Sequence, residues 1–120
     1  VLMGIGGTPE GVLAACALKC MGGDIQGKLW PRNKGEIEQG TAMGYDFERV
    51  LHMDDLVRSD NCFFAASGIT DGELLDGVKY YGKRAQTHSL VMRSKSGTVR
   101  EVKASHRWEK LMRFSQIGYD

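Results

Sequence analysis

The sequence predicts an α/β fold: a mixed sheet with flanking helices and a C-terminal hairpin. Three observations carry that prediction. Two apolar runs, 1–5 and 62–66, each stop at a polar turn containing glycine, the profile of buried strands that end abruptly. Helix signals follow both runs, and strand, helix, strand in that order implies a parallel pair with a right-handed crossover. Two further strand-like segments, 87–94 and 98–108, flank Lys95-Ser96-Gly97, where glycine supplies the dihedral a hairpin turn needs.

The opening stretch organises the rest. Val1 to Ile5 reads as a strand stopping at the glycines 4, 6 and 7. Thr8 is placed as the N-cap of the next helix, with Pro9 at the first helical position, where a missing N–H costs nothing. Residues 12–21 are apolar almost all round, which predicts a largely buried helix, and Gly22-Gly23 ends it. A strand, a glycine turn and a helix N-terminus together favour an anion, because free N–H groups and the helix dipole point at it. Glu10 lies in that first turn and would repel a phosphate bound there. A divalent cation between carboxylate and phosphate removes the conflict. The alternative is that Glu10 only complements the helix dipole. The segment is neither a dinucleotide fingerprint, since Pro9 stands where a third glycine is needed, nor a P-loop, since no lysine precedes Lys19.

Downstream, 24–30 alternates as a short strand, 31–35 reads as a loop, and 36–43 is loosely helical with Gly44 as its cap. A brief apolar element at Val50-Leu51 precedes a helical turn begun by an aspartate in Asp54-Asp55. His52-Met53-Asp54-Asp55 can be read as a ligand cluster or, more simply, as a cap with a neighbouring carboxylate. After the strand 62–66, Thr70 and Glu73 have the spacing of a capping box, predicting a helix through Leu74, Leu75 and Val78. If both apolar strands are parallel, their turns share one sheet edge, which makes Ser67, Thr70 and Asp71 further site candidates beside Gly6, Gly7 and Glu10. Capping and turn formation explain the same three residues. Lys83-Arg84 suits a solvated loop or a sugar-phosphate contact, and Arg93 and Arg100 flank the hairpin turn. Residues 109–120 show no clear periodicity and are left unassigned.

These residues carry a family resemblance. Gly4-Ile5-Gly6-Gly7-Thr8-Pro9-Glu10-Gly11 resembles the GIGGxPEG segment of the class II fructose-1,6-bisphosphatases, including bifunctional fructose/sedoheptulose bisphosphatases. The likeness continues through Ala14-Ala15, Gly22-Gly23, Gln26-Gly27, 56–61, 64–72 and 89–94. It runs in the family's order from Val1 to about His106 and covers about the C-terminal third of such an enzyme, so 1–120 is taken as a C-terminal domain fragment. The resemblance implies a layered, lithium-sensitive-phosphatase-like sandwich and a metal-dependent hydrolysis of the 1-phosphate of fructose 1,6-bisphosphate, serving gluconeogenesis or carbon fixation. It implies Mn²⁺ or Mg²⁺ as cofactor, Glu10 as a metal ligand, Gly7 as a substrate contact and a homo-oligomeric, cytoplasmic full-length enzyme. The other carboxylates of the family lie upstream of Val1, so the fragment alone is expected to be inactive. Ala85-Gln86-Thr87 stands where many relatives carry an arginine. A non-catalytic sugar-phosphate-binding or assembly module, and an inositol-phosphatase-like enzyme, remain as alternatives.

Bulk properties agree with one globular unit. At 120 residues and 42% hydrophobic content a folded chain buries about 65% of its unfolded surface. Opening on Val1 inside a predicted strand, the chain is expected to continue upstream. Sixteen basic against fifteen acidic residues give no electrostatic case for nucleic acid or an anionic membrane. No apolar run approaches the roughly 20 residues needed to span a bilayer. Cys16, Cys20 and Cys62 make an odd count, read as small buried residues with a metal trio as the alternative. Sixteen glycines exceed the usual share of about 7%, fitting many tight element ends.

Overall fold

A computed structural model describes residues 1–115. Its elements are α1 (Thr8–Met21), β1 (Gln26–Gly27), α2 (Lys34–Ala42), β2 (Leu51–His52), α3 (Met53–Leu56), β3 (Phe63–Ser67), β4 (Lys79–Tyr81), β5 (Arg84–Arg93), β6 (Thr98–Arg107) and α4 (Trp108–Phe114). The α/β class holds, but every strand pair among the described residues is antiparallel, so the sheet is not mixed.

The sheet is built on β5. Alternation puts His88, Leu90 and Met92 in the interior on one face, and Ala85 is buried on the other. β6 pairs along its whole length from Arg84↔Arg107 to Arg93↔Thr98, closing the expected hairpin through 94–97, where Gly97 has φ +63°. β3 and β4 share the other edge, β3 opposite 89–93 and β4 opposite 84–86. Phe64 and Ala66 stand across from Met92 and Leu90, and α1 packs against β3 and β5. Met92 is the largest fully buried side chain. Ser94 closes the bottom of this layer. Its hydroxyl donates to the Asp60 carbonyl at 2.7 Å and accepts the Cys62 N–H at 2.7 Å.

Four expectations are overturned. Residues 1–5 are exposed and not a strand, because no described strand runs beside them to pair their N–H and C=O groups. The parallel crossover therefore has no first strand, and β1 pairs antiparallel with β2 instead. The helix α1 is not largely buried: only Ala15 and Cys20 are, while Leu13 and Met21 are exposed. The predicted helix after Thr70 is an irregular loop. There the Val78 N–H donates to Ile69 O at 3.1 Å and the Gly77 N–H to Asp71 Oδ1 at 2.8 Å, pulling the ends together. The closure is tight. A Cβ on Gly68 would lie 2.1 Å from the Asp76 carbonyl oxygen, and one on Gly77 would lie 2.7 Å from the Thr70 backbone.

Smaller shifts follow local chemistry. Asn33 caps α2 by accepting the Glu36 N–H at 2.9 Å. His52, not an aspartate, occupies the cap of α3. The expected strand 98–108 ends at Arg107, and α4 runs from Trp108 into the unassigned 109–120, with the Trp108 ring meeting Tyr80 edge-on at 5.7 Å; residues 116–120 lie outside the described residues. Total exposed surface is 9698 Å², against about 6,500 Å² for a compact chain of this mass. The radius of gyration is 19.0 Å, where about 14 Å is usual. The fold is open, with Phe63, Tyr80, Tyr81 and Phe114 facing outward.

Candidate functional site at the start of the first helix

The site candidates converge on the first turn of α1. Gly7 holds the capping position at φ −68° and ψ 156°, and its carbonyl accepts the Gly11 N–H at 3.0 Å, the first bond of the helix. The helix thus starts one residue earlier than Thr8 as N-cap requires: Thr8 makes no side-chain cap bond and Pro9 takes the second helical position. The N–H groups of Gly7, Thr8 and Glu10 have no acceptor within the helix, and Pro9 has none to offer. Lys19 in the last turn complements the other end of the dipole.

Glu10 is the third helical residue, from which a carboxylate turns back over its own helix start. It does so here. A Cβ on Gly7 would lie 2.1 Å from Glu10 Oε2 and 3.1 Å from its Cδ, so the space over Gly7 is filled by the carboxylate. The same position in α2 and α3 is also acidic, which permits a comparison inside one chain. Glu36 Oε2 accepts the Arg32 N–H at 2.6 Å, and Asp55 Oδ2 accepts the His52 N–H at 2.9 Å. Both are spent on capping. Among the described residues Glu10 has neither a hydrogen bond nor an ion pair, and it is exposed. Of the three carboxylates at equivalent helix positions, only Glu10 makes no hydrogen bond or ion pair among the described residues.

The structure brings Gly7 and Glu10 together and leaves the other candidates in supporting places. Gly6 is exposed, with open space where a Cβ would stand. Cys16 and Cys20 lie against Phe63 and Cys62, so α1 runs antiparallel to β3. From that contact the helix rises about 12 Å back to Thr8, and the strand advances about 13 Å to Ser67. The first turn of α1 and the end of β3 therefore reach the same edge of the layer, although the strands there are not parallel. Ser67 Oγ is engaged with Ser89 Oγ at 2.6 Å, and Asp71 is engaged with Gly77. Thr70 backs onto Gly77 in the closed loop. No hydrogen bond among the described residues links these three to Gly7 or Glu10. The His52-to-Asp55 cluster serves capping and ion pairs: Arg49 holds Asp55, and Lys19 Nζ reaches Asp54 Oδ1 at 3.0 Å. The His52 N–H, and then the Arg49 charge, hold the Asp55 carboxyl below its ordinary value.

Two features stand apart from the helix start: one carried no weight in the sequence, and the other was only the lesser of two readings there. His88 is a buried polar residue whose Nδ1 accepts the Asp76 N–H at 2.9 Å, which puts the ring proton on Nε2, toward Glu101 at 3.1 Å. It pins the 68–78 loop onto β5. The second is the gathering of Cys16, Cys20 and Cys62, whose sulfurs all lie within 4.8 Å of one another. Burial, then the Cys62 sulfur, pushes the Cys16 thiol up to about 12, and burial also raises Cys20. Burial acts on Cys62 too, but Ser94, the other two thiols and the Lys19 charge outweigh it and lower that thiol. The i, i+4 spacing of the first two was visible in the sequence, and the trio offered there as the alternative to three separate buried residues is the arrangement the structure shows.

Comparison with known proteins covers the same residues. Residues 1–106 match the family described as bacterial fructose-1,6-bisphosphatase, glpX-encoded. The chain is 40% identical over 130 aligned residues to the class 2 fructose-1,6-bisphosphatase of Haemophilus influenzae, covering 98% of this chain and 39% of that protein. It is 40% identical over 119 residues to fructose-1,6-bisphosphatase 1 class 2 of Escherichia coli K12, covering 88% of this chain and 35% of that protein. The chain thus spans little more than a third of the length of the curated relatives it matches.

Proposed function

Because this chain belongs to the bacterial, glpX-encoded fructose-1,6-bisphosphatase family, we propose that it supplies one wall of a metal-dependent sugar-bisphosphatase site. In that reading Glu10 ligates a hard divalent cation, Mn²⁺ or Mg²⁺, and the Gly7 turn receives a phosphate group of the substrate. The reaction is hydrolysis of the 1-phosphate of fructose 1,6-bisphosphate to fructose 6-phosphate and inorganic phosphate, in gluconeogenesis or carbon fixation. The observation that carries the reading is the free carboxylate of Glu10 over a cap with no Cβ, where the matching carboxylates Glu36 of α2 and Asp55 of α3 are spent on backbone donors.

The residues present fit such a cation in kind. Carboxylate oxygen is the ligand class hard divalent ions select, and Glu10 meets no competing base among the described residues. When bound, the ion polarises the scissile phosphate and acidifies a water. The chain's own part is positional. Glu10 holds its carboxylate at the helix start, and the free N–H groups there donate to phosphoryl oxygens and stabilise their charge. The absence of a Cβ at Gly7 is what leaves room for that carboxylate. In this reading Ser67 and Thr70 take the outer part of the sugar phosphate.

One carboxylate cannot assemble a two-metal centre, so the fragment by itself is inactive and acts within the full-length, homo-oligomeric enzyme. The open surface, with aromatic side chains facing outward, supports burial against further polypeptide. Among the described residues no helix is long and apolar enough to cross a membrane. The test is Glu10→Gln in the full-length protein, assayed for phosphate release from fructose 1,6-bisphosphate across a Mn²⁺ titration. The reading expects activity to fall by about 10²-fold or more at any Mn²⁺ concentration. Wild-type rate and Mn²⁺ dependence would defeat it.

A further inference from the structure

We propose that Cys16, Cys20 and Cys62 form a second cation site, selective for a soft thiophilic ion such as Cu(I), Cd²⁺ or Zn²⁺ and separate from the carboxylate site at Glu10. Cys16 and Cys20 project from one face of α1, and Cys62 comes from the residue before β3. The three sulfurs lie within 4.8 Å of one another, with Cys20 and Cys62 at 4.0 Å.

The spacing distinguishes two uses of such a cluster. A disulfide requires sulfurs about 2.05 Å apart, so Cys20 and Cys62 would have to close by about 2 Å. Three sulfurs each about 2.3 Å from a shared ion stand about 4.0 Å apart in a planar arrangement and about 3.8 Å apart in a tetrahedral one. The widest separation here needs to shrink by no more than about 1 Å to meet either. The cluster is spaced for an ion between the sulfurs.

An entering ion takes the place of the thiol protons and offsets the burial that otherwise disfavours charge on these sulfurs. The thiols now face backbone carbonyls, Cys16 toward Phe63 O at 3.4 Å and Cys20 toward Cys62 O at 3.8 Å. Each proton is released when its sulfur binds the ion, so three leave as one divalent cation enters. The resulting net single negative charge lies beside Lys19, whose ammonium already acts on Cys62. Soft sulfur discriminates against Mg²⁺ and Mn²⁺, just as the carboxylate of Glu10 prefers them. The two sites therefore take different ions, and this inference stands or falls independently of the role given to Glu10.

The experiment is a Cd²⁺ titration of the reduced, chelator-treated full-length protein in excess Mg²⁺, read by the ultraviolet thiolate-to-metal charge-transfer band. The band is expected to saturate at one Cd²⁺ per chain. Cys16→Ser and Cys62→Ser should each weaken binding at least tenfold, and Glu10→Gln should leave it unchanged. Because a serine variant can fail to fold, the wild type carries a second test: stoichiometric Cd²⁺ should protect all three cysteines from alkylation, read by peptide mass spectrometry. No band in the wild type, unprotected cysteines, or a Cys62→Ser titration identical to wild type would each overturn the proposal.

Discussion

Replacing Gly7 by alanine separates the two roles of the helix start. The backbone there, φ −68° and ψ 156°, is open to any residue, so alanine adds no strain. Its lower capping preference costs up to about 1 kcal/mol, and the reduced freedom of the unfolded chain returns about 0.4–1 kcal/mol. Stability should change by less than about 1 kcal/mol. The new Cβ, however, would lie 2.1 Å from Glu10 Oε2, a separation real Cβ atoms do not show, so the carboxylate must retreat by about 1 Å. A displacement of about 1 Å in a reacting constellation costs about 10²-fold. In the full-length enzyme, Gly7→Ala should keep its thermal midpoint within a few degrees, raise the Mn²⁺ concentration for half-maximal rate, and lower kcat/KM by about 10²-fold. A rate and Mn²⁺ dependence within twofold of wild type would refute the reasoning. A loss of activity tracking unfolding would reduce Gly7 to a cap.

Three further outcomes follow from the packing and the charges. Met92→Ala removes the largest fully buried side chain and should cost about 2–5 kcal/mol in urea unfolding, whereas Val99→Ala on the exposed strand opposite should cost well under 1 kcal/mol. Lys19 is held above its ordinary value first by its bond to Asp54, against the opposing effect of burial. A raised lysine stabilises fully below its unfolded value of about 10.4 and loses that contribution as pH rises through the folded value. The thermal midpoint should fall above about pH 10.5, and Lys19→Met should flatten that fall; a variant with an unchanged alkaline slope contradicts the assignment. Cys62 is lowered and Cys16 raised to about 12, so timed alkylation near pH 8 should modify Cys62 before Cys16, as peptide mass spectrometry would show.

How much was legible differs by element. The hairpin could be read because alternation and a Ser-Gly turn are local signals, and β5 and β6 need only each other. The helix α1 could be read from Pro9 and Gly22, with its start shifted by one residue because Gly7 O already accepts the first helical N–H, that of Gly11, and no side chain caps the start. Pairing was illegible. Nothing in 24–30 says that β1 will meet β2 antiparallel, and an apolar run such as 1–5 becomes a strand only beside a partner. The helix expected after Thr70 lost to a closed loop, since Gly72 and Gly77 weaken a helix and Asp71 satisfies the Gly77 N–H directly. At the site, the nearness of Glu10 to Gly7 was legible, being set within one helical turn. Its freedom from the cap was not, because Glu36 and Asp55 carry the same local pattern and spend it differently.

The central claim concerns a single carboxylate, and locating the ion tests it most directly. Crystals of the full-length enzyme with Mn²⁺ and fructose 6-phosphate, measured at the manganese absorption edge, would place the metal without reference to activity. The account predicts an anomalous peak about 2.0–2.3 Å from a Glu10 oxygen, with phosphate or sugar-phosphate oxygens facing Gly7. A peak elsewhere in the enzyme, with Glu10 turned to solvent, would contradict it.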